Sequence, residues 1–186
     1  MRIISGALRG KLINFIKSST TRPLKDSVKE NIFNILKHSR LINTKIENTN
    51  ILDLYSGVGS FGLECISRGA KKVTFVEQDK DATNVLNENL INLSIIKHAN
   101  VVNCKIEDFL INNIKEKFNI FFLDPPFLDK SFLYNLNLIK KNKIYKNNHV
   151  LIVHRERKTN DNLENFFDII LTKQYGRSKI IFGVFS

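Results

Sequence analysis

Cysteine is nearly absent from this 186-residue chain, which has only Cys65 and Cys104 and no Cys-x-x-Cys pair. That excludes a disulfide framework and a cysteine-based zinc site. The four histidines, His38, His98, His149 and His154, are scattered without metal-ligand spacing, so no metal is expected. No apolar run approaches the ~20 residues of a membrane span. The apolar start at residues 1–7 is too short for a signal peptide, so a cytoplasmic location is expected. Internal repeats and low-complexity blocks are also missing. What remains suits one soluble domain with a small appendage, able to bury roughly 70% of its unfolded surface without staples.

Charge of one sign is in short supply. The chain has 29 Lys and Arg against 18 Asp and Glu, a net charge of +11. The excess is concentrated: residues 1–50 hold ten basic and three acidic side chains. A basic N-terminal quarter points to a polyanionic partner, nucleic acid before membrane. The alternative source is composition, because a chain rich in Asn, Ile and Lys carries surplus lysine for no functional reason.

Two short apolar runs around the Gly6–Gly10 turn predict a β-hairpin over residues 2–16, with Arg9 and Lys11 at or beside the turn. Val28, Ile32, Ile35 and Leu36 recur at helical spacing, predicting a helix over 24–37, and 38–49 reads as a polar connector. Strands are then predicted at 50–55, 72–76, 100–104, 118–123 and 150–154, alternating with helices at 60–68, 80–93, 107–115 and 131–139. A short helix at 163–167 and strands at 169–174 and 179–185 close the chain. Alternating strands and helices predict an α/β fold, a mostly parallel seven-stranded sheet covered on both faces. The closing pair should run antiparallel. Residues 1–40 read as an N-terminal extension and 41–186 as the main domain.

After the first sheet strand comes Asp53-Leu-Tyr55-Ser56-Gly57-Val-Gly59-Ser-Phe-Gly62, and Glu77 ends the next strand. The glycines fit G-x-G-x-x-G, a dinucleotide fingerprint. Asp53 argues against that ligand, since a carboxylate at the strand end repels the pyrophosphate the loop would hold. S-adenosylmethionine has no phosphate and carries an ammonium and a sulfonium, which an acid favours. The other role open to Asp53 is a cap on the following helix. The loop resembles the cofactor loop of class I methyltransferases, which implies a Rossmann-like fold and assigns Glu77 to the ribose hydroxyls. Tyr55, Ser56, Gly57, Gly59, Gly62 and Gln78 complete the expected cofactor contacts. The turn after the third strand adds Ile106, through its backbone at the adenine, and Glu107.

The fourth strand runs into Asp124-Pro125-Pro126-Phe127. An exocyclic amine on a base is a poor nucleophile, because its lone pair is delocalised into the ring. The Asp124 carboxylate and the Pro125 carbonyl can accept its N–H groups in a geometry that frees the pair, and Phe127 offers a stacking face. Direct attack on the sulfonium methyl then rests on positioning. The bland alternative is a cis-proline strand terminator with no chemistry. Cys104 lacks the Pro-Cys context of a nucleophile, and Cys65 reads as core packing.

The tetrad resembles the Asp/Asn-Pro-Pro-Tyr/Phe motif of amino-group methyltransferases. More diagnostic are Met1-Arg-Ile-Ile-Ser-Gly6, Arg9-Gly10-Lys11, Arg22-Pro23, the segment from Asp26 to Leu36, and Gly62-Leu-Glu64 through Arg68-Gly69-Ala70. Together these resemble the RsmD family of bacterial small-subunit ribosomal RNA guanine-N2 methyltransferases. The chain departs from it at Leu24, where the family has Thr, and Ser27, where it has Arg. The resemblance implies S-adenosylmethionine as cofactor and guanine 966 of 16S ribosomal RNA, or of a small-subunit assembly intermediate, as target. A monomer is expected, with a base that lies in an exposed loop or is splayed out of its helix. Arg2, Arg9, Lys11, Arg22, Lys25 and Lys29 are the expected phosphate contacts. The rivals are a DNA adenine-N6 methyltransferase, with no room here for a large target-recognition region, and a protein glutamine methyltransferase, which typically has Asn and Tyr at the tetrad's ends. An NAD-dependent oxidoreductase fits only the glycines. A non-catalytic RNA-binding assembly factor would bind RNA equally well after Asp124→Ala.

Overall fold

The computed structural model describes residues 1–16, 24–112 and 114–186. Helix α1 (Asp26–His38) precedes strand β1 (Asn50–Leu54), helix α2 (Ser60–Ser67), β2 (Lys72–Glu77), α3 (Lys80–Asn92) and β3 (Ala99–Asn103). Then follow α4 (Ile106–Ile111), β4 (Phe118–Leu123), α5 (Ser131–Asn142), β5 (Tyr145–Glu156), β6 (Asp168–Tyr175) and β7 (Ser178–Val184). The seven strands are ordered β3-β2-β1-β4-β5-β7-β6. The first five are parallel, and β7 runs antiparallel to both β5 and β6. This is the mostly parallel sheet the alternation predicts, in the Rossmann-like form the resemblance implies. Among the described residues no helix is long and apolar enough to cross a membrane.

Strands β1 and β4 are apolar on both faces because each face is covered. One core layer gathers Ile3, Ile13, Ile32, Phe33 and Phe61, and the other Leu110, Phe121, Phe132, Leu136 and Ile139. Phe33, Phe61 and Phe122 stack in series, with centroids 5.2 and 4.0 Å apart, joining α1 through α2 to β4. The order in which successive strands are added reverses between β1 and β4, the switch point where ligands bind in such folds. Their register pairs Leu54 with Leu123, so Tyr55 and Asp124 emerge side by side at the carboxyl ends.

Several expectations needed correction. The N-terminal hairpin is one bridge, Arg2 to Leu12, supported by Ile3 N–H to Lys11 O at 2.9 Å. Gly10 N–H to Ile3 O (2.9 Å) and Ile13 N–H to Met1 O (3.0 Å) complete its cross-strand bonds, and the segment is also tied to α2: Ala7 N–H reaches Ser67 O (2.8 Å), and buried Glu64 accepts from Ile4 (2.7 Å) and Ser5 N–H (2.9 Å). The polar connector buries Ile42, Thr44 and Ile46 in strict alternation, a period-two signal diluted by the polar residues around it. Helix α4 stops at Ile111 rather than 115, where Asn112 turns extended and its amide bonds Asp108 O at 2.8 Å. That local bond competes with the helix ladder. Strand β5 starts five residues early, pairing Tyr145 with Phe118 across an irregular register.

Candidate active site

A cleft of about 450 Å³ opens at the ends of β1, β2 and β3 and at the start of α5. Of the expected cofactor residues it is lined by Tyr55, Glu77, Gln78, Ile106 and Glu107, with Lys105, Asp108, Asp129 and Ser131 beside them. Four carboxylates against one lysine make this cleft acidic in a strongly basic protein. A pyrophosphate would be repelled here, whereas a cationic ligand would be drawn in.

Asp53, one residue before the end of β1, is 1% exposed. Its Oδ2 accepts the Gly62 N–H at 3.0 Å, a helix cap delivered from the neighbouring strand. Its Oδ1 is buried without a partner among the described residues, as is the Ser56 Oγ. Burial pushes the Asp53 carboxyl well above its ordinary range; the Gly62 bond opposes this, and the charges of Asp124 and Glu77 reinforce it. A buried acid left half-satisfied beside two others is unfavourable alone and suited to a cation. Of the two roles weighed for Asp53, the helix cap is present on Oδ2, and Oδ1 is left for a ligand.

The glycines serve packing as well as turn geometry. Gly59 adopts φ +84° at the N-cap of α2, and a Cβ there would sit 2.4 Å from Leu86 Cδ1. A Cβ on Gly62 would fall 2.2 Å from the Phe75 ring. Gly57 presents its N–H to Glu77 Oε2 at 2.8 Å, and Asp79 N–H holds Oε1 at 2.9 Å. Glu77 is thus aimed by main-chain donors. Tyr55 takes a left-handed conformation, φ +60°, unusual for a bulky residue and typical of functional turns. Its hydroxyl accepts from Asn135 at 2.9 Å, and burial raises its phenol above the ordinary range. Ile106 opens α4, where first-turn N–H groups have no intrahelical partner. The orphaned Asp53 oxygen, the aimed Glu77 and this free helix end fit S-adenosylmethionine.

Asp124 stands one residue past β4, half-buried. His154 Nδ1 is 2.7 Å from Asp124 Oδ1, and His154 Nε2 is 2.9 Å from Ser178 Oγ. The Phe127 ring meets the His154 ring edge-on, with centroids 5.9 Å apart. Arg155, 1% exposed, donates to the carbonyls of Pro126 (3.1 Å) and Phe127 (2.9 Å). It is paired with Asp161 at 2.7 Å and lies over the Phe132 ring. The Pro125 carbonyl stands outside that clamp. The composition of the tetrad did not disclose His154, Arg155 or Ser178. The available signal was positional: His154 and Arg155 close the apolar run Leu151-Ile152-Val153 at a strand's carboxyl end, where such sheets place function.

Arg2, Arg9, Lys11 and Lys25 are exposed on and beside the N-terminal turn. Arg22 lies outside the described residues. Lys29 requires a correction: expected to contact phosphate, it is 0% exposed. Its ammonium bonds Arg2 O at 3.0 Å and Ser60 Oγ at 3.3 Å, with Asp26 at 3.8 Å and Glu64 at 4.0 Å. Burial lowers its pKa, and those two acids oppose the shift. The helical period places Lys29 beside Val28 on the inner face, where a buried acid is available to receive it.

The family model described as conserved hypothetical protein 95 matches residues 1–184. The chain is 37% identical over 159 residues to ribosomal RNA small subunit methyltransferase D of Haemophilus influenzae, covering 84% of this chain and 79% of that one. To the protein of the same name from Buchnera aphidicola subsp. Baizongia pistaciae it is 30% identical over 185 residues, covering 100% and 91%. The solved structure of yhhF from Escherichia coli superposes with a TM-score of 0.82 at 28% identity, covering 100% of this chain and 98% of that one. The chain therefore belongs to the conserved hypothetical protein 95 family, the RsmD-type family of small-subunit ribosomal RNA methyltransferases, whose cofactor is S-adenosylmethionine.

Proposed function

We propose that this protein methylates the exocyclic N2 of guanine 966 in 16S ribosomal RNA, as a monomer acting in the cytoplasm on the RNA or on a small-subunit assembly intermediate. The observation that carries this reading is Asp124, held at the carboxyl end of β4 beside an acidic cleft and next to the buried Asp53. Asp53 would face the cationic methionine end of the cofactor, Glu77 the ribose hydroxyls, and the Ile106 N–H the adenine, with Tyr55, Ser56, Gly57, Gln78 and Glu107 around them. Bound there, the cofactor supplies an electrophilic methyl on sulfur. Asp124 and the Pro125 carbonyl accept the hydrogens of the guanine amine and so localise its lone pair. Asp124 then takes the proton the amine sheds once methylated. Phe127 holds the base plane, and Pro126 stiffens the loop that carries it. Residues 1–40 form the RNA-contacting extension, with Arg2, Arg9, Lys11, Lys25 and Arg22 toward phosphates.

The test is incubation with methyl-labelled S-adenosylmethionine and small-subunit RNA or particles lacking the modification, followed by mapping of the label. Label at guanine N2 is expected. Label on adenine or protein, with none on guanine, defeats the proposal. Asp124→Ala should retain cofactor affinity while kcat falls about 10²–10⁴-fold.

A further inference from the structure

We infer that His154, itself set by Ser178, is a positioning residue that anchors one oxygen of the Asp124 carboxylate and leaves the other to the acceptor amine. The inference rests on Asp124 being the group that meets that amine. Both ring nitrogens of His154 are engaged, Nδ1 at 2.7 Å from Asp124 Oδ1 and Nε2 at 2.9 Å from Ser178 Oγ. An ionised carboxylate can only accept, so Nδ1 carries the hydrogen. In the neutral ring Nε2 is then an acceptor, and the Ser178 hydroxyl donates to it. The aspartate thus fixes the tautomer, and the serine hydroxyl, able to donate or accept, holds the far side of the ring in place.

The frame around this chain of bonds is rigid. His154 is 7% exposed and sits in β5, which pairs with both β4 and β7. Asp124 lies just past the end of β4, and Ser178 begins β7. Three adjacent strands therefore fix three linked side chains. The ring also contacts Phe127 edge-on, so one imidazole sets both ends of the tetrad. Without it, Asp124 could rotate about its side-chain torsions and sample poses in which neither oxygen meets the amine. Misplacement of a reacting group by about 1 Å is enough to cost on the order of 10²-fold in rate.

The experiment compares His154→Asn, His154→Leu and Ser178→Ala in the full-length protein, with kcat and KM for small-subunit RNA and Kd for S-adenosylmethionine. Asparagine places an N–H near the position of Nδ1, whereas leucine fills the space without a donor. His154→Leu should lose about 10²-fold in kcat with KM and Kd unchanged. His154→Asn should recover to within roughly tenfold of the parent, and Ser178→Ala should fall between parent and His154→Leu. Equal rates for the Asn and Leu variants would overturn the inference by reducing His154 to a space filler, as would a loss confined to KM. If both match the parent while Asp124→Ala is inactive, the positioning role fails and the assignment of Asp124 stands. If Asp124→Ala is itself fully active, the underlying assignment fails instead.

Discussion

The two halves of the sheet meet between β1 and β4, and each brings a carboxylate to that junction in a different way. On the β1–β3 side, Asp53 is buried and held by a single main-chain N–H, with one oxygen unmet. On the β4–β7 side, Asp124 is half-exposed and held by a histidine that is itself held. The first arrangement stores an electrostatic need that a cation relieves. The second aims a base without needing anything further. The first half therefore suits recognition of a charged cofactor, and the second suits placement of a neutral amine.

Breaking the second half should produce the largest effect. Arg155 is the only side chain shown donating to the tetrad's carbonyls among the described residues, and it is paired with Asp161 inside the fold. Removing one partner of a buried pair leaves an uncompensated charge, so Arg155→Ala should destabilise the protein by about 3–5 kcal/mol. Denaturant titration checks this, and an unchanged midpoint would mean that the tetrad does not depend on the clamp. No comparable loss is expected from the corresponding acid in the first half.

Asp53→Asn tests that contrast with the opposite sign. The folded pKa of Asp53 is raised above 3.8 by burial. A group raised in this way contributes stability that is fully present below 3.8 and lost as pH rises through the folded value. Burial of this acid therefore weakens the ligand-free protein above that range, and Asn, which can still accept from Gly62, should hold or raise the melting temperature at neutral pH. Cofactor affinity should drop by about 2 kcal/mol, roughly 30-fold, because the cation loses its counter-charge. In the parent, affinity should increase with pH through the raised range of Asp53, with a proton released on binding. The variant should be flat. Calorimetry in buffers of different ionisation heat reads that proton directly, and an unchanged pH slope in the variant would assign the proton to another group.

The same division explains what the sequence disclosed. The first half is local: Asp53 meets Gly62 nine residues on, and Glu77 meets Gly57 twenty residues back. Acid, glycine spacing and second acid could be read together, and the alternation of strands and helices gave the sheet around them. The second half is assembled across the sheet. Asp124 finds His154 thirty residues away, and His154 finds Ser178 twenty-four further on. No spacing rule links them, because the contact exists only once β5 lies between β4 and β7. Burial misled in the same way at Lys29. A lysine in a basic helix reads as surface, and only the tertiary approach of Glu64 and Ser60 makes its burial tolerable.

The smallest expected effect concerns the N-terminal turn, which packs on α2 and α3 of the first half yet should take no part in cofactor binding. Asn14 exchanges two bonds with Asn89 of α3, at 2.8 and 3.1 Å, and Ser67 of α2 holds Leu8 N–H at 3.0 Å. The turn is therefore a fixed platform, with Arg9 and Lys11 exposed on it. Fixed cations lose less freedom when they meet phosphate than cations on a loose arm. The double change Arg9→Gln with Lys11→Gln should weaken RNA binding only several-fold near physiological salt. Each lost phosphate contact should reduce the slope of log K against log salt by about 0.7–0.9, so the pair should reduce it by about 1.5. The cofactor Kd should stay at its parent value. Lys29→Gln is the internal control, because a side chain with no exposed surface should change the melting temperature and leave the salt slope alone. If the slope follows Lys29 rather than Arg9 and Lys11, the platform is not where RNA lies, and the basic N-terminus acts only as an anchor for the first half.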